Sequence, residues 1–300
     1  MSILAVDGGQ SGVRARLVDG DRIVGEADLP PIRTDLPVSP QLAQVAQTMT
    51  QRFGPADDLA IGTTGLTEVD SAAKVASGLE GTGISRVHLA HDSITCYLGA
   101  LGDAKGVVTA SGTGVVTLAV GASDVARVDG WGWIMGDCGS GFWIGRAGLE
   151  AGMRAHDGRG PATGMLDAIR RDFRSVEGAY VELQSDEAKV ARVAAYAREV
   201  LDLAASGDVA CAEIARRAAL ELAGSATTGL RLVGETDAPL ICGLGGVFRS
   251  AIVKQAFAEA METAFHGARV IEPRGTSLEG ATLLPSIASD NPLHHRIDLA

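Results

Sequence analysis

The sequence predicts an α/β protein built from two related halves, and three observations carry that expectation. A short apolar strand that ends in a glycine turn and is followed by antiparallel strands occurs twice, near residue 7 and again near residue 111. Between residues 59 and 101, apolar strands alternate with helical stretches, as in a parallel α/β unit. At 300 residues the chain is also long enough to bury two cores. Together these predict an internal duplication, with domains over 1–104 and 105–300 that meet near Leu101-Gly102-Asp103-Ala104-Lys105-Gly106.

The elements follow in order. Residues 3–7, 13–18 and 22–27 alternate or run apolar between turn residues and predict three hairpin strands, with Asp19-Gly20-Asp21 as the second turn. A proline-rich loop over 29–40 precedes a helix starting near Ser39, whose face carries Leu42, Val45, Ala46 and Met49. A strand over 59–62, a turn at Thr63-Thr64-Gly65, a helix over about 68–77, a strand over 87–90 and a helix over 92–101 complete the first half. Strands over 107–110, 115–120 and 125–128 open the second. Helical patterning then dominates 146–232, broken near 158–161 and 206–208, with amphipathic stretches suited to covering a sheet or a second subunit. A buried strand over 239–242, a helix over 250–265, a strand over 268–271 and a helix over 278–284 close the pattern, and the His294-His295 tail is left without an assigned role.

Composition narrows the function. The formal charge of −11 argues against nucleic acid, whose phosphate backbone calls for a basic face. It also requires any nucleotide to meet local positive potential from Mg²⁺, backbone N–H groups and a few arginines. Cys96, Cys138, Cys211 and Cys242 are far apart, without the paired spacing of zinc, iron–sulfur or redox sites, as expected in a reducing compartment. The start runs directly into a strand, and no uncharged run reaches about 18 residues, so a cytoplasmic protein without a membrane partner is expected.

The chemistry concentrates in four stretches. Residues 128–145 hold all three tryptophans of the chain, Trp131, Trp133 and Trp143, among six glycines and the aspartates Asp129 and Asp137. Glycines allow close backbone approach and aromatic faces wall a pocket, so a polar-ligand site is expected there, with the N-terminus of a helix over 142–153 aimed back at the turn. The alternative is a glycine turn whose tryptophans are core. Asp7-Gly8-Gly9-Gln10-Ser11 joins two strands of a hairpin. Its backbone and Ser11 suit phosphate oxygens and Asp7 suits Mg²⁺, although Asp-Gly-Gly also serves as a plain turn. Ala110-Ser111-Gly112-Thr113-Gly114 repeats that geometry in the second half, and Gly243-Leu244-Gly245-Gly246-Val247 ends a strand before a helix, which suits an α-phosphate or adenosine.

The loops at Asp7, Ser111 and Gly243 resemble the phosphate and adenosine motifs of the sugar kinase, heat-shock protein and actin superfamily. His91-Asp92-Ser93 combined with Gly130-Trp131-Gly132 and Gly136-Asp137-Cys138-Gly139-Ser140 resembles its N-acetylglucosamine and glucosamine kinase branch, in the BadF/BcrA-type ATPase group. The resemblance spans nearly the whole chain. It implies two ribonuclease-H-like (actin-like ATPase) domains with ATP and Mg²⁺ in the cleft between them, an amino sugar as partner and a homodimer. It assigns Asp92 as catalytic base, which agrees with its place after a strand and at the head of a helix; the competing role there is a helix N-cap. Asp137 matches the aspartate that binds sugar hydroxyls, against a simple turn role, while Gly130, Trp131 and Thr64 match pocket-lining positions. Gly9, Gln10, Ser11, Arg14, Gly112, Thr113, Gly114, Gly243, Gly245 and Gly246 match the nucleotide positions, and Asp7 the metal position.

Cys138 departs from the glutamate usual in kinases of acetylated sugars, and 133–145 with 97–101 is closer to actinobacterial glucosamine kinases. The resemblance therefore implies ATP-dependent phosphorylation of the 6-hydroxyl of glucosamine, with N-acetylglucosamine the near alternative. A BadF-type ATPase activator would need clustered cysteines for an iron–sulfur cluster, and a sugar-sensing regulator would be expected to carry a DNA-binding helix-turn-helix ahead of Ile3.

Overall fold

A computed structural model describes residues 1–9 and 12–300; Gln10 and Ser11 lie outside it. The chain separates into two compact units, one of residues 1–106, 120–125 and 273–300, the other of residues 107–119 and 126–272.

In the first unit the strands are β1 (Ser2–Gly9), β2 (Gly12–Asp19), β3 (Arg22–Leu29), β4 (Asp58–Thr63) and β5 (Arg86–His91), with helices α1 (Val38–Phe53), α2 (Ala72–Ala76) and α3 (Asp92–Leu101). β1, β2 and β3 form the expected antiparallel hairpins, while β4 runs parallel to β1 and β5 parallel to β4. The apolar alternation of β1 and β2 turns Leu4, Val6, Val13, Ala15 and Leu17 into one core with Leu42, Ala46 and Met49 of α1. Parallel pairing sets the site. Asp7 lies level with Gly62, and Gly62 with Ala90, so the ends of three neighbouring strands reach one edge.

Two expectations for this half are corrected. The helix expected over 68–77 is only Ala72–Ala76, capped by Ser71. Asp70 is held out of it because its carboxylate accepts the N–H groups of Val38 and Ser39, each at 2.9 Å, at the start of α1. Residues 273–300, expected in the second half, cluster with the first unit. There α11 (Ser277–Leu283) packs on α3, and β11 (Asp298–Leu299) pairs antiparallel with β5, extending the sheet to the order β11-β5-β4-β1-β2-β3. The His294-His295 stretch is no free terminus, since Leu293 and Ile297 on either side are buried and Asp298 accepts the Ala72 N–H at 2.7 Å.

The second unit contains β6 (Gly106–Ser111), β7 (Val115–Val120), β8 (Val125–Val128), α4 (Gly132–Met135), α5 (Gly141–His156), α6 (Met165–Asp172), α7 (Ala179–Ser185), α8 (Lys189–Ala205), α9 (Val209–Leu232), β9 (Leu240–Leu244), α10 (Ala251–Ala264) and β10 (Arg269–Ile271). Its sheet has the order β10-β9-β6-β7-β8, with β9 parallel to both β6 and β10. The alanine-rich face of α9, with Ala215, Ala218, Ala219, Leu222 and Ala226, joins a core shared with α5, α6, α8 and α10. Asp208 starts α9 by accepting the Cys211 N–H at 3.0 Å, and binds the Thr163 hydroxyl and Gly164 N–H at 2.8 Å. Among the described residues no helix is long and apolar enough to cross a membrane.

α3 is held by unusually close backbone contacts. A Cβ at Gly280 of α11 would overlap the Thr95 carbonyl of α3, and one at Gly99 of α3 would overlap the Thr276 carbonyl. Gly280→Ala should therefore force the two helices apart and destabilise the protein by about 1–3 kcal/mol. Urea unfolding of the variant checks this through a lower midpoint at unchanged slope.

Candidate active site

In the first unit, four of the sequence-predicted residues gather at the carboxyl ends of β1, β4 and β5. Asp7 and Arg14 stand opposite each other across the β1–β2 hairpin, and the guanidinium donates to the Asp7 carboxylate at 2.7 Å. Arg14 thus meets the proposed metal ligand in this structure. Burial raises the affinity of Asp7 for a proton above the usual carboxylate range, Arg14 opposes that shift, and the charge of Asp92 adds to it. Thr64 donates its N–H to the Gly8 carbonyl at 3.0 Å, and Ile32 donates to the Gly9 carbonyl at 3.0 Å, which pins the end of β1. Gln10 and Ser11, expected on the phosphates, lie outside the described residues.

Asp92 is the first residue of α3, and His91 is its N-cap. The competing N-cap role for Asp92 therefore falls to its neighbour, whose Nδ1 accepts the Ser93 N–H at 3.2 Å. Asp92 Oδ1 is buried and, among the described residues, has no hydrogen-bond partner. His91 Nδ1 does lie 2.8 Å from it. That nitrogen is engaged by the Ser93 N–H and hydroxyl, the latter at 2.9 Å, so the approach to Asp92 is a contact and not a hydrogen bond. A buried carboxylate oxygen without a donor is uncommon, while the Asp92 side chain as a whole is 35% exposed.

In the second unit, three glycine-bearing segments converge. β6 and β9 are parallel neighbours, with Thr109 level with Gly243 and Ala110 with Leu244, so the loops after them leave the sheet side by side. Gly245 takes φ +99°, and a Cβ there would overlap the Ser111 carbonyl, so only glycine lets the two loops touch. Gly112, Thr113, Gly245 and Gly246 are exposed, with Gly114 and Gly243 partly so. A 3₁₀ turn, Val247–Arg249, separates the third loop from α10, where a direct helix start was expected.

The α5 terminus corrects another expectation. Its first N–H groups do not stand free for a ligand: Gly141 donates to the Gly112 carbonyl at 2.7 Å, Phe142 to the Thr113 carbonyl at 3.1 Å, and Trp143 to the Ser140 hydroxyl at 3.2 Å. The helix terminus fixes the shape of the 112–114 loop instead of offering its own anion site.

The tryptophan stretch is organised by an acid that the sequence reading left without a role. Asp129, at φ 60°, accepts the N–H groups of Gly130 at 2.7 Å, Asp137 at 2.8 Å and Cys138 at 3.1 Å. The Asp129-Gly130 pair was the available signal, since Asp before Gly commonly bonds backbone N–H groups in a turn. Asp137, at φ 57° and 8% exposed, is turned toward the N–H groups of Val115 and Gly132. Burial raises its proton affinity, the two N–H groups lower it and Asp129 raises it. Gly130 donates nothing to a pocket here; its carbonyl accepts from Arg127 at 2.7 Å.

Core tryptophans are ruled out for two of the three. Trp131 is 61% exposed beneath the Arg127 guanidinium, and Trp133 is 42% exposed beside Phe142, with Ile134 and Met135 still more open. Only Trp143 packs on the core, under Arg217 of α9. Cys138 lies near Glu221 of α9, and burial followed by the charges of Glu221, Asp129 and Asp137 pushes its thiol up.

Known proteins resemble this chain along almost its full length. The model of the BadF/BadG/BcrA/BcrD ATPase family matches residues 4–283. A Clostridium acetobutylicum protein named N-acetylmuramic acid/N-acetylglucosamine kinase is 22% identical over 298 residues, covering 94% of this chain and 97% of its own. A solved structure from Chromobacterium violaceum, whose name proposes an N-acetylglucosamine kinase, matches with a TM-score of 0.76 at 25% identity, over 94% of this chain and 98% of the other. A ROK family glucokinase from Streptomyces griseus, solved with glucose and AMPPNP, shares the fold at a TM-score of 0.57 and 15% identity, over 94% and 98% of the two chains.

Asp7 is costly to keep ionised where it lies. A carboxyl whose folded proton affinity is raised binds more protons folded than unfolded in the interval above its ordinary pKa, so its contribution to stability falls as pH rises through that interval and stays lowered at neutral pH. Asp7→Asn should remove this pH-dependent loss, leaving the neutral-pH melting temperature equal or higher, while turnover drops. Thermal melts from pH 4 to pH 8 alongside an activity assay check both signs.

Proposed function

This chain belongs to the BadF/BadG/BcrA/BcrD ATPase family, and from that premise we propose that it is an ATP-dependent hexosamine kinase that converts D-glucosamine to glucosamine 6-phosphate. The observation that carries the proposal is Asp92: a carboxylate at the carboxyl edge of a parallel sheet, relieved of capping duty by His91, 35% exposed as a side chain and with no donor to its buried Oδ1 among the described residues. A sugar hydroxyl bonded to the exposed oxygen of that carboxylate would have its proton acceptor in place. As the 6-oxygen attacks the γ-phosphorus, the bond to the β–γ bridging oxygen breaks, Asp92 takes the hydroxyl proton, and ADP leaves.

The other residues take supporting roles in this reading. Gly9, Gln10, Ser11, Arg14, Gly112, Thr113 and Gly114 would serve the phosphates, with Gly243, Gly245 and Gly246 serving the α-phosphate and adenosine. The Asp137 carboxylate lies toward the Val115 and Gly132 N–H groups, which oppose the rise in its proton affinity that burial causes. Asp137 would bind sugar hydroxyls, with Gly130 and Trp131 lining the sugar, and Thr64 would contribute from its own turn. The reading includes two ribonuclease-H-like halves, a homodimer and a cytoplasmic location.

Mg²⁺ fits this donor set as a shared ion. Among the described residues no group of three or more His, Cys, Asp or Glu would hold a metal unaided. Asp7 is a hard oxygen donor whose buried charge is only partly balanced by Arg14, so it would supply the protein ligand while ATP oxygens and water complete the shell. Bound there, the ion would neutralise charge on the triphosphate.

Glucosamine is preferred as acceptor because three acids, Glu221, Asp129 and Asp137, bear on Cys138, where a neutral thiol replaces the glutamate of acetylated-sugar kinases. A cationic amine suits that negative field better than an acetamide does. N-acetylglucosamine is the second reading, favoured by the names of the Clostridium acetobutylicum and Chromobacterium violaceum relatives.

An ADP-release assay over glucosamine, N-acetylglucosamine and glucose at subsaturating concentration should give the highest kcat/KM for glucosamine. A preference for N-acetylglucosamine would move the assignment to the second reading, and no ADP release from any sugar would end the kinase proposal. Asp92→Asn should lower kcat by about a thousandfold or more with sugar affinity nearly intact, checked by the same assay and by equilibrium titration of the sugar.

A further inference from the structure

Asp, Asn, Ser and Thr are the residues that most often cap helices by accepting a backbone N–H. An aspartate at the head of α3 would ordinarily fold back onto those donors. Here His91 takes the position before it, with φ −65° and ψ 143°, and its ring nitrogen accepts the Ser93 N–H at 3.2 Å. That hydrogen bond requires Nδ1 to carry no proton, so the neutral ring has its proton on Nε2. The Ser93 hydroxyl, 2.9 Å from the same nitrogen, donates to it as well.

Two consequences follow for Asp92. Its carboxylate is not drawn onto the α3 N–H groups, because the cap is filled. Its Oδ1 lies 2.8 Å from a nitrogen that is itself an acceptor, so His91 crowds this oxygen without quenching it. Nothing in the first unit supplies Oδ1 with a donor among the described residues. The adjacent Thr95 hydroxyl, which would be a candidate, is turned to the Asp92 backbone carbonyl at 3.1 Å.

The geometry points to His91 as a positioning residue: by capping α3 with Nδ1 and packing against the buried Oδ1, it holds the Asp92 carboxylate off the helix terminus with its more exposed oxygen toward the acceptor hydroxyl. This rests on Asp92 being the base. The ring itself touches neither sugar nor phosphate in this role. What matters is an acceptor at the Nδ1 position, which the side-chain oxygen of asparagine also supplies.

Steady-state kinetics on four variants test it. His91→Ala should lower kcat about tenfold or more with KM for the sugar changed less than about threefold, since the base is misplaced rather than the pocket lost. His91→Gly should do the same, and because glycine is well tolerated at a helix N-cap it remains folded if the alanine variant does not. His91→Asn should keep kcat within about threefold of the parent. Ser71→Ala removes the N-cap of α2, far from this chemistry, and should lower the melting temperature without lowering kcat. Unchanged kcat in His91→Ala and His91→Gly overturns the proposal, as does an asparagine variant as impaired as the alanine one, which would make the imidazole ring itself the requirement. Asp92→Asn, run in the same series, separates the two layers: if it keeps turnover, the base assignment fails independently of His91.

Discussion

The first unit depends on how near α3 is allowed to come to its neighbours. Gly62 of β4 leaves room for the Thr95 side chain, and the Gly99 and Gly280 crossings let α11 lie against α3 with backbone touching backbone. These contacts fix the height and roll of the helix whose first residue is Asp92. Close packing of this kind transmits small volume changes as whole-element shifts, because interiors have little free space to absorb them. The C-terminal residues that complete the crossing also complete the sheet through β11, so the last stretch of the chain is part of the platform for a residue two hundred positions earlier.

In the second unit the ordering principle is hydrogen bonding by a partly buried carboxylate and a helix terminus. Asp129 gathers three N–H groups of its own loop, and α5 gives its first two to the carbonyls of the 112–114 loop. Each of these donors would be costly to leave unmet. The glycine-rich segments are therefore held in a defined shape, and Asp129 tolerates positive φ because its side chain bonds the next N–H. Exposed Trp131, Trp133, Ile134 and Met135 then sit on a rigid base.

Much of this was legible in advance. The hairpins, the parallel β4 and β5, α3 beginning at Asp92 and the loops after β6 and β9 follow from period-two and period-3.6 patterning with glycine punctuation, which are local signals. What stayed hidden depends on partners distant in sequence. The helix expected from Glu68 was shortened because Asp70 bonds the start of α1, thirty residues earlier. The free N–H groups expected at α5 were taken by a loop from another strand.

The sequence by itself determined which residue types stand at strand ends, and hence the kind of chemistry available: carboxylates beside glycine turns, with no cluster of thiols. Only the tertiary structure decided which carboxylates serve the fold and which stays unoccupied. Asp129 resembles Asp92 as a residue, yet it meets three backbone N–H groups, while Asp92 Oδ1 has no donor among the described residues because a neighbouring imidazole fills the cap. The physical reason is that a hydrogen-bond partner is a property of three-dimensional neighbours, which spacing along a chain does not specify.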